Sequence, residues 1–230
     1  LAEHAPARLP SGRGEGQGKS PRHPLHPLYT DAAGDGRGAA QIAATLPLRP
    51  SRKAGTMAQP AVIEGFAMFT YRSLTAADAQ GWREIFVNGV KNFPTGFLMT
   101  PAEVDDLTME RCQTILDAGG TRGIFEGELL AGFCGYRQFQ PIRIRHRGEI
   151  GPFFVMENFH GSGAAQALMA GVVEEAKGAG VEQLELSVAQ RNHRAIAFYE
   201  RQGFVRYGAH PDAVRDEEAD GSGFLYRRLL

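Results

Sequence analysis

The stretch GEIGPFFVMENFHGSGAAQALM, residues 148–169, decides the fold. An apolar run ending in Phe153, Phe154 and Val155 passes through a turn of small residues, His160-Gly161-Ser162-Gly163-Ala164-Ala165, into a helical pattern. There Ala164, Leu168, Val172 and Ala176 recur every four residues, while Gln166, Glu174, Glu175 and Lys177 fall mainly elsewhere on the wheel. One apolar stripe therefore faces a core, and Gly178 and Gly180 end the helix. Small residues at such a turn let main-chain amides approach a ligand, and the unpaired amides and positive dipole of a helix start suit a pyrophosphate. By itself the turn also fits a close-packed helix start. The third glycine of the dinucleotide fingerprint is missing, and no suitable acidic residue follows a clearly paired parallel strand about 20 residues on.

Working outward, the residues from Gly65 to Tyr71 predict a first strand. Thr75 is a plausible N-cap, with Asp78 as an acidic partner, for a helix from Ala76 to about Val87. A second helix is expected over Asp105 to Ala118, after the interruption at Pro94 and Gly96 and before Gly119 and Gly120. Arg122 to Glu126 and Leu129 to Phe139 read as strands, antiparallel if the turn at Gly127 and Glu128 closes a hairpin. Downstream, Gly148 to Val155 and the alternating Val181 to Val188 are strands, and Asn192 caps a helix reaching about Gln202. Phe204 to Tyr207 starts another strand, and Phe224 to Leu230 is an edge or penultimate one. The sum is an α/β (α+β) domain with a mixed sheet flanked by helices.

The second informative stretch is NHRAIAFYERQGF, residues 192–204. Together the two segments resemble the GCN5-related N-acetyltransferase (GNAT) superfamily. The family's phosphate loop, Arg or Gln, two residues, Gly, one residue, Gly or Ala, is matched at His160, Gly163 and Ala165; its later motif is matched at Asn192, Ala195, Phe198, Tyr199, Gly203 and Phe204. The resemblance covers essentially Ile63 to Leu230. It implies a mixed, mostly antiparallel sheet of six or seven strands with about four helices, splayed at its centre to admit an acyl donor, acetyl-CoA. By that likeness Gly161, Ser162, Gly163, Ala164 and Ala165 hold the pyrophosphate, with His160 and Asn192 beside them, and Phe154, Val155 and Met156 pair with the pantetheine arm. His160 departs from the family's arginine or glutamine, although its ring can still donate.

N-acyl transfer needs an uncharged amine beside the thioester and a proton source for the departing thiolate. The resemblance implies Tyr199 as that acid, the Val155 amide as the group polarising the thioester carbonyl, and Glu149 as a base, unless Glu149 is a solvated strand end. Phe93, Pro94, Phe97, Leu98 and Met99 are expected to form an acceptor wall. Glu182 and Glu185 are expected to face solvent or neighbouring strands, and Arg137, Arg143, Arg145, His146 and Arg147 a solvated hairpin. Cys112 and Cys134 lack the companion ligands of a zinc site and are expected to be buried and free.

The 230 residues carry 25 basic and 26 acidic side chains, a formal net charge of -1, so nucleic acid is not the expected partner. Two cysteines and the lack of a long apolar stretch exclude a disulfide scaffold and a membrane span. Without the pattern of a secretory leader, a cytoplasmic protein is expected. Residues 1–56 hold seven of thirteen prolines and none of the fourteen phenylalanines, and read as a disordered or non-native extension. The apparent phosphate loop there, at Gly14, Gly16, Gly18, Lys19 and Ser20, has Arg13 where the motif needs glycine. Residues 57–230 are then a single N-acyltransferase domain acetylating a primary amine of a small molecule. The alternatives are a protein or peptide amine and a non-catalytic acyl-CoA-binding or interaction module; exposed edge strands leave room for a homodimer.

Overall fold

The computed structural model describes residues 61–62, 68–215 and 221–230. The expectations for residues 1–56, and the start of the predicted first strand, lie outside the described residues. A sheet of order β1-β2-β3-β4-β5-β6-β8-β7 runs through the domain. Its strands are β1 (Ala61–Val62), β2 (Phe69–Ser73), β3 (Thr121–Glu126), β4 (Leu129–Gln138), β5 (Arg147–Val155), β6 (Gln183–Ala189), β7 (Val205–His210) and β8 (Gly223–Leu229). Every neighbouring pair is antiparallel except β5 with β6. This is the expected mixed, mostly antiparallel sheet, with the two-residue β1 as an additional strand. The hairpin at Gly127 and Glu128 forms as read from the sequence, and β8 is penultimate, paired along its whole length with β6.

Helices cover both faces. On one lie α1 (Ala79–Asn92), α2 (Pro101–Asp105) and α3 (Met109–Asp117), whose Trp82, Phe86, Val104 and Leu116 pack with Phe97, Phe133 and Phe154. On the other lie α4 (Ala164–Gly178) and α5 (His193–Arg201), with Leu168, Val172, Tyr199 and Ala176 against Cys134, Tyr136, Ile150, Leu184 and Leu186. The first helix begins as a 3-10 turn at Ala76–Asp78, where the Asp78 carboxylate accepts from the Thr75 N–H at 2.9 Å, and runs on to Asn92, since Pro94 disfavours helix just beyond. The predicted second helix is α3, which starts four residues later than expected because Thr108 caps it, accepting from the Arg111 N–H at 3.2 Å. The short α2 before it was not expected; Thr100 caps it, with Pro101 at its first position.

A buried network fastens α4 to the sheet. Glu175 accepts from Arg122 Nε at 2.7 Å and Nη2 at 2.6 Å and from the Tyr71 hydroxyl at 2.6 Å. Burial alone would raise the Glu175 carboxyl; the hydrogen bonds from Arg122 and Tyr71, with the guanidinium's charge, outweigh it and hold the group below the usual carboxylate range.

The sheet opens between β5 and β6. Their parallel register comprises Arg147↔Gln183, Gly148↔Leu184 and Glu149↔Glu185 and then stops. Just beyond, Gly151 and Pro152 stand opposite the single Gly135, between the pairs Cys134↔Phe153 and Tyr136↔Ile150. This bulge bends β5 away from its neighbour, and Pro152 has no N–H to donate across the gap. A Cβ at position 135 would lie 2.2 Å from the Gly151 carbonyl oxygen, so the bulge needs glycine there.

Candidate active site

Beyond the bulge, β5 and β6 leave a slot with a main-chain edge on each side. The Met156 N–H donates to the Ala131 carbonyl at 3.0 Å, and antiparallel alternation turns Phe154 the same way, toward β4. Phe153 and Val155 therefore present their main-chain groups to the slot. The expected trio Phe154, Val155 and Met156 is thus corrected to Phe153 and Val155, because the bulge sets which residues face β4. Phe154 instead packs its ring 5.6 Å from those of Phe93 and Phe97. On the opposite wall, the hydrogen bonds Gln190 N–H to Ser222 and Leu230 N–H to Glu182 fix the alternation of β6, leaving the main chains of Ser187 and Ala189 toward the slot.

At the end of β5 the chain makes a short turn at Glu157–Phe159 and enters the loop before α4. Gly161 and Gly163 have φ of 82° and 96°, the left-handed region where a side chain is strained. That conformation leaves the N–H groups of Gly161, Gly163, Ala165 and Gln166 without a hydrogen-bond partner among the described residues. The Ser162 N–H is spent on the Phe159 carbonyl and the Ala164 N–H, at 3.3 Å, on Ser162 Oγ. Four unpaired amides at the start of a fifteen-residue helix form an anion cradle of the size a diphosphate needs.

His160 does something the sequence did not announce. Its Nε2 lies 3.0 Å from the Val155 carbonyl, and since a carbonyl can only accept, that nitrogen carries the proton. The ring ties the loop to the strand end and occupies the Val155 carbonyl, leaving the Val155 N–H facing the slot. Asn192 caps α5, its Oδ1 accepting from the Ala195 N–H at 3.1 Å. Tyr199, on α5, lies among the rings of Phe153, Phe198 and Phe204 at centroid distances of 6.2, 5.6 and 5.8 Å. Burial, with a further contribution from Cys134, pushes its phenol well above its ordinary value, so it is a hydroxyl with a proton to give at neutral pH. No hydrogen bond to that hydroxyl occurs among the described residues.

Glu149 lies on the other face of the sheet, beside the point where the strands part. Its carboxylate accepts from Arg137 Nη2 at 3.0 Å, and its side chain is 16% exposed, so it is neither a freely solvated strand end nor fully enclosed. Glu182 is exposed, whereas Glu185 is buried, its carboxylate held by Arg147 and Gln183. The Pro94–Gly96 turn packs against both β5 and β6, placing the predicted acceptor wall across the opening. A separate cavity of about 420 Å³, lined by Asp78, Glu84, Asn88, Phe125, Leu130 and Met156, lies between α1 and the β3–β4 hairpin, beyond β4 from the slot. Cys112 and Cys134 are buried and free. Among the described residues no cluster of side chains could hold a metal, and no helix is long and apolar enough to cross a membrane.

The acetyltransferase (GNAT) family model matches residues 92–204, the stretch that holds the parted strands β5 and β6 and the amide-rich start of α4. The matched segment, residues 92–204, belongs to the GNAT superfamily. Two curated relatives, both called mycothiol acetyltransferase, come from Salinispora tropica and Salinispora arenicola. Each is 29% identical, over 91% and 82% of this chain, and the chain spans 70% and 63% of their lengths. Among solved structures, a GNAT-family acetyltransferase from Streptococcus pneumoniae superposes with a TM-score of 0.61 at 23% identity, over 70% of this chain and 99% of that one. The yncA protein of Salmonella typhimurium, solved with its cofactor acetyl-CoA, gives 0.60 at 15% identity, over 71% and 94%. These likenesses at low identity establish the GNAT fold, and the slot and cradle of this domain have the form that accommodates an acetyl-CoA-like donor.

Proposed function

We propose that this GNAT domain is an acetyl-CoA-dependent N-acetyltransferase that acts on a primary amine of a small molecule by direct transfer in a ternary complex. The observation that carries the reading is the slot between β5 and β6, which leads to the four unpaired amides before α4. A carboxylate on one face of that slot and a protonated phenol on the other supply the two proton carriers. The relatives named for mycothiol, rather than for a protein, support the small-molecule acceptor.

The donor supplies an acetyl group activated as a thioester. Gly161, Gly163, Ala165 and Gln166 would take its diphosphate, and the Val155 N–H, which faces the slot, would polarise the thioester carbonyl, where negative charge develops. Glu149 takes one proton from the acceptor ammonium, directly or through a water. The nitrogen then attacks the carbonyl carbon, the C–N bond forms and the C–S bond breaks. Tyr199 protonates the departing sulfur and is reprotonated from solvent, to which the new amide releases its remaining extra proton. Positioning and electrostatics do most of the work.

The test is calorimetric titration of the protein with acetyl-CoA and desulfo-CoA, followed by thiol release against a pooled amine library. Saturable donor binding and amine-dependent thiol release are expected. Tyr199→Phe should lower kcat by about tenfold or more while leaving donor affinity within about twofold. Absence of binding at millimolar donor by a folded sample sinks the assignment, and binding without turnover of any amine leaves a non-catalytic module.

A further inference from the structure

The last paired residues before the slot form a row across four strands. Arg137 of β4 is registered with Glu149 of β5, Glu149 with Glu185 of β6, and Glu185 with Arg227 of β8. Registered residues share a face. Here it is the face opposite α4, because Tyr136, Ile150, Leu184 and Tyr226, each adjacent in sequence to one member of the row, pack on the α4 side. The row therefore reads cation, anion, anion, cation, with two carboxylates side by side where the sheet opens.

Like charges directly across neighbouring strands are destabilising, and the surrounding arrangement offsets this. Arg137 donates to Glu149. Arg147 clasps Glu185 with Nε and with Nη2, the latter at 2.6 Å, and Gln183 Nε2 adds a third donor at 2.7 Å. Both guanidinium groups lie over the Phe139 ring, each 5.3 Å from its centroid. From β7, the half-exposed phenol of Tyr207 interacts electrostatically with Glu185, Arg147, Glu149 and Arg227.

We propose that this row is the acceptor subsite and that it takes an amino-carboxylate, a primary amine carrying its own carboxylate, with the ammonium between Glu149 and Glu185 and the carboxylate on Arg137 or Arg227. The inference rests on the N-acetyltransferase reading above and names its substrate class. Glu185, fixed by a two-pronged arginine and a glutamine, is the anchor. Glu149, which accepts from Arg137 and stands where the strands part, is the carboxylate read above as the base. The row carries a cation at each end, Arg137 and Arg227, so it offers a place for a substrate anion as well as for its ammonium. An amine with its own anion matches that order of charges, and Arg137 and Arg227 are both exposed to receive the anion. The Pro94–Gly96 turn, which packs on both β5 and β6, closes the subsite from above.

The test compares two pools on the full chain, the proteinogenic amino acids and their decarboxylated amines, with cadaverine as a diamine probe. Thiol release is read with acetyl-CoA, and acceptor binding is read by calorimetry on protein saturated with desulfo-CoA. At least one amino acid is expected to exceed its decarboxylated partner by about tenfold or more in kcat/KM and to bind the donor-saturated protein. For it, Glu185→Gln should raise the acceptor KM about tenfold or more with donor affinity unchanged. Arg227→Met, at an exposed position that folding tolerates, should erase most of the preference over the decarboxylated amine. Equal or absent turnover of the two pools, a preference for the amines or cadaverine, or an unchanged preference in Arg227→Met overturns the inference. Failure of the donor itself to bind would instead overturn the enzyme reading, so the two failures are distinct.

Discussion

Replacing Glu175 by alanine tests how α4, and with it the anion cradle at its start, is held. The change strands the Arg122 guanidinium, whose side chain is 10% exposed, while the lost carboxylate was 26% exposed. Removing one partner of a buried pair costs about 3–5 kcal/mol, and the partial exposure of Glu175 places this case near 3. With a urea m-value of about 2 kcal/mol/M for a domain of this size, the unfolding midpoint should fall by about 1.5 M. Glu175→Leu combined with Arg122→Met, which removes both charges and keeps the volume, should recover at least half of that loss. The pH dependence has a definite sign. The folded carboxyl titrates below its unfolded value, so its contribution is complete above the unfolded carboxylate pKa of about 4.3 and is lost as pH falls through the folded one. The gap between wild type and Glu175→Ala should therefore narrow from pH 7 to pH 3. A midpoint shift below about 0.5 M at pH 7, or a gap that widens on acidification, would refute the reasoning.

Gly163→Val puts a β-branched residue at a φ of 96°, a conformation costing about 1–2 kcal/mol. The loop should relax away from it, weakening desulfo-CoA binding at least about tenfold by calorimetry, while unchanged affinity would dissociate the cradle from donor binding. Asn192→Ala removes the cap on the Ala195 N–H and should cost about 1 kcal/mol in urea unfolding; no measurable loss would mean that α5 is held by its packing alone.

What the sequence disclosed were features whose causes are local. The loop from His160 to Ala165, the stripe of α4 and the cap at Asn192 each depend on residues within one or two turns, and the structure has them as read. The hairpin at Gly127 and Glu128 follows in the same way. The start of the second helix was harder, because Thr108 caps it inside the expected bounds, and the short helix that Thr100 caps before it was missed. The choice between Phe154 and its neighbours turned on the bulge at Gly151 and Pro152, since one extra residue reverses which main-chain groups face the slot. Pro152 within a strand was the available signal. The neighbourhood of Glu185 and Glu149 was illegible because it comes from a register across a parallel pair, which joins segments separated by the whole of α4. The bond from His160 to the Val155 carbonyl was likewise illegible, since it depends on the path of the turn between them.

The slot makes β5 and β6 two raw edges inside a sheet. A sheet normally hides its unpaired edges or ends at them, whereas here the N–H groups of Phe153 and Val155 look across a gap at the main chain of Ser187 and Ala189. In the absence of an extended ligand these amides should exchange with deuterated solvent far faster than those of Gly148 and Leu184, a few residues earlier in the same strands. A donor lying between the strands would act as a removable strand and close the sheet, so its arrival should be read as a local slowing of exchange along this seam.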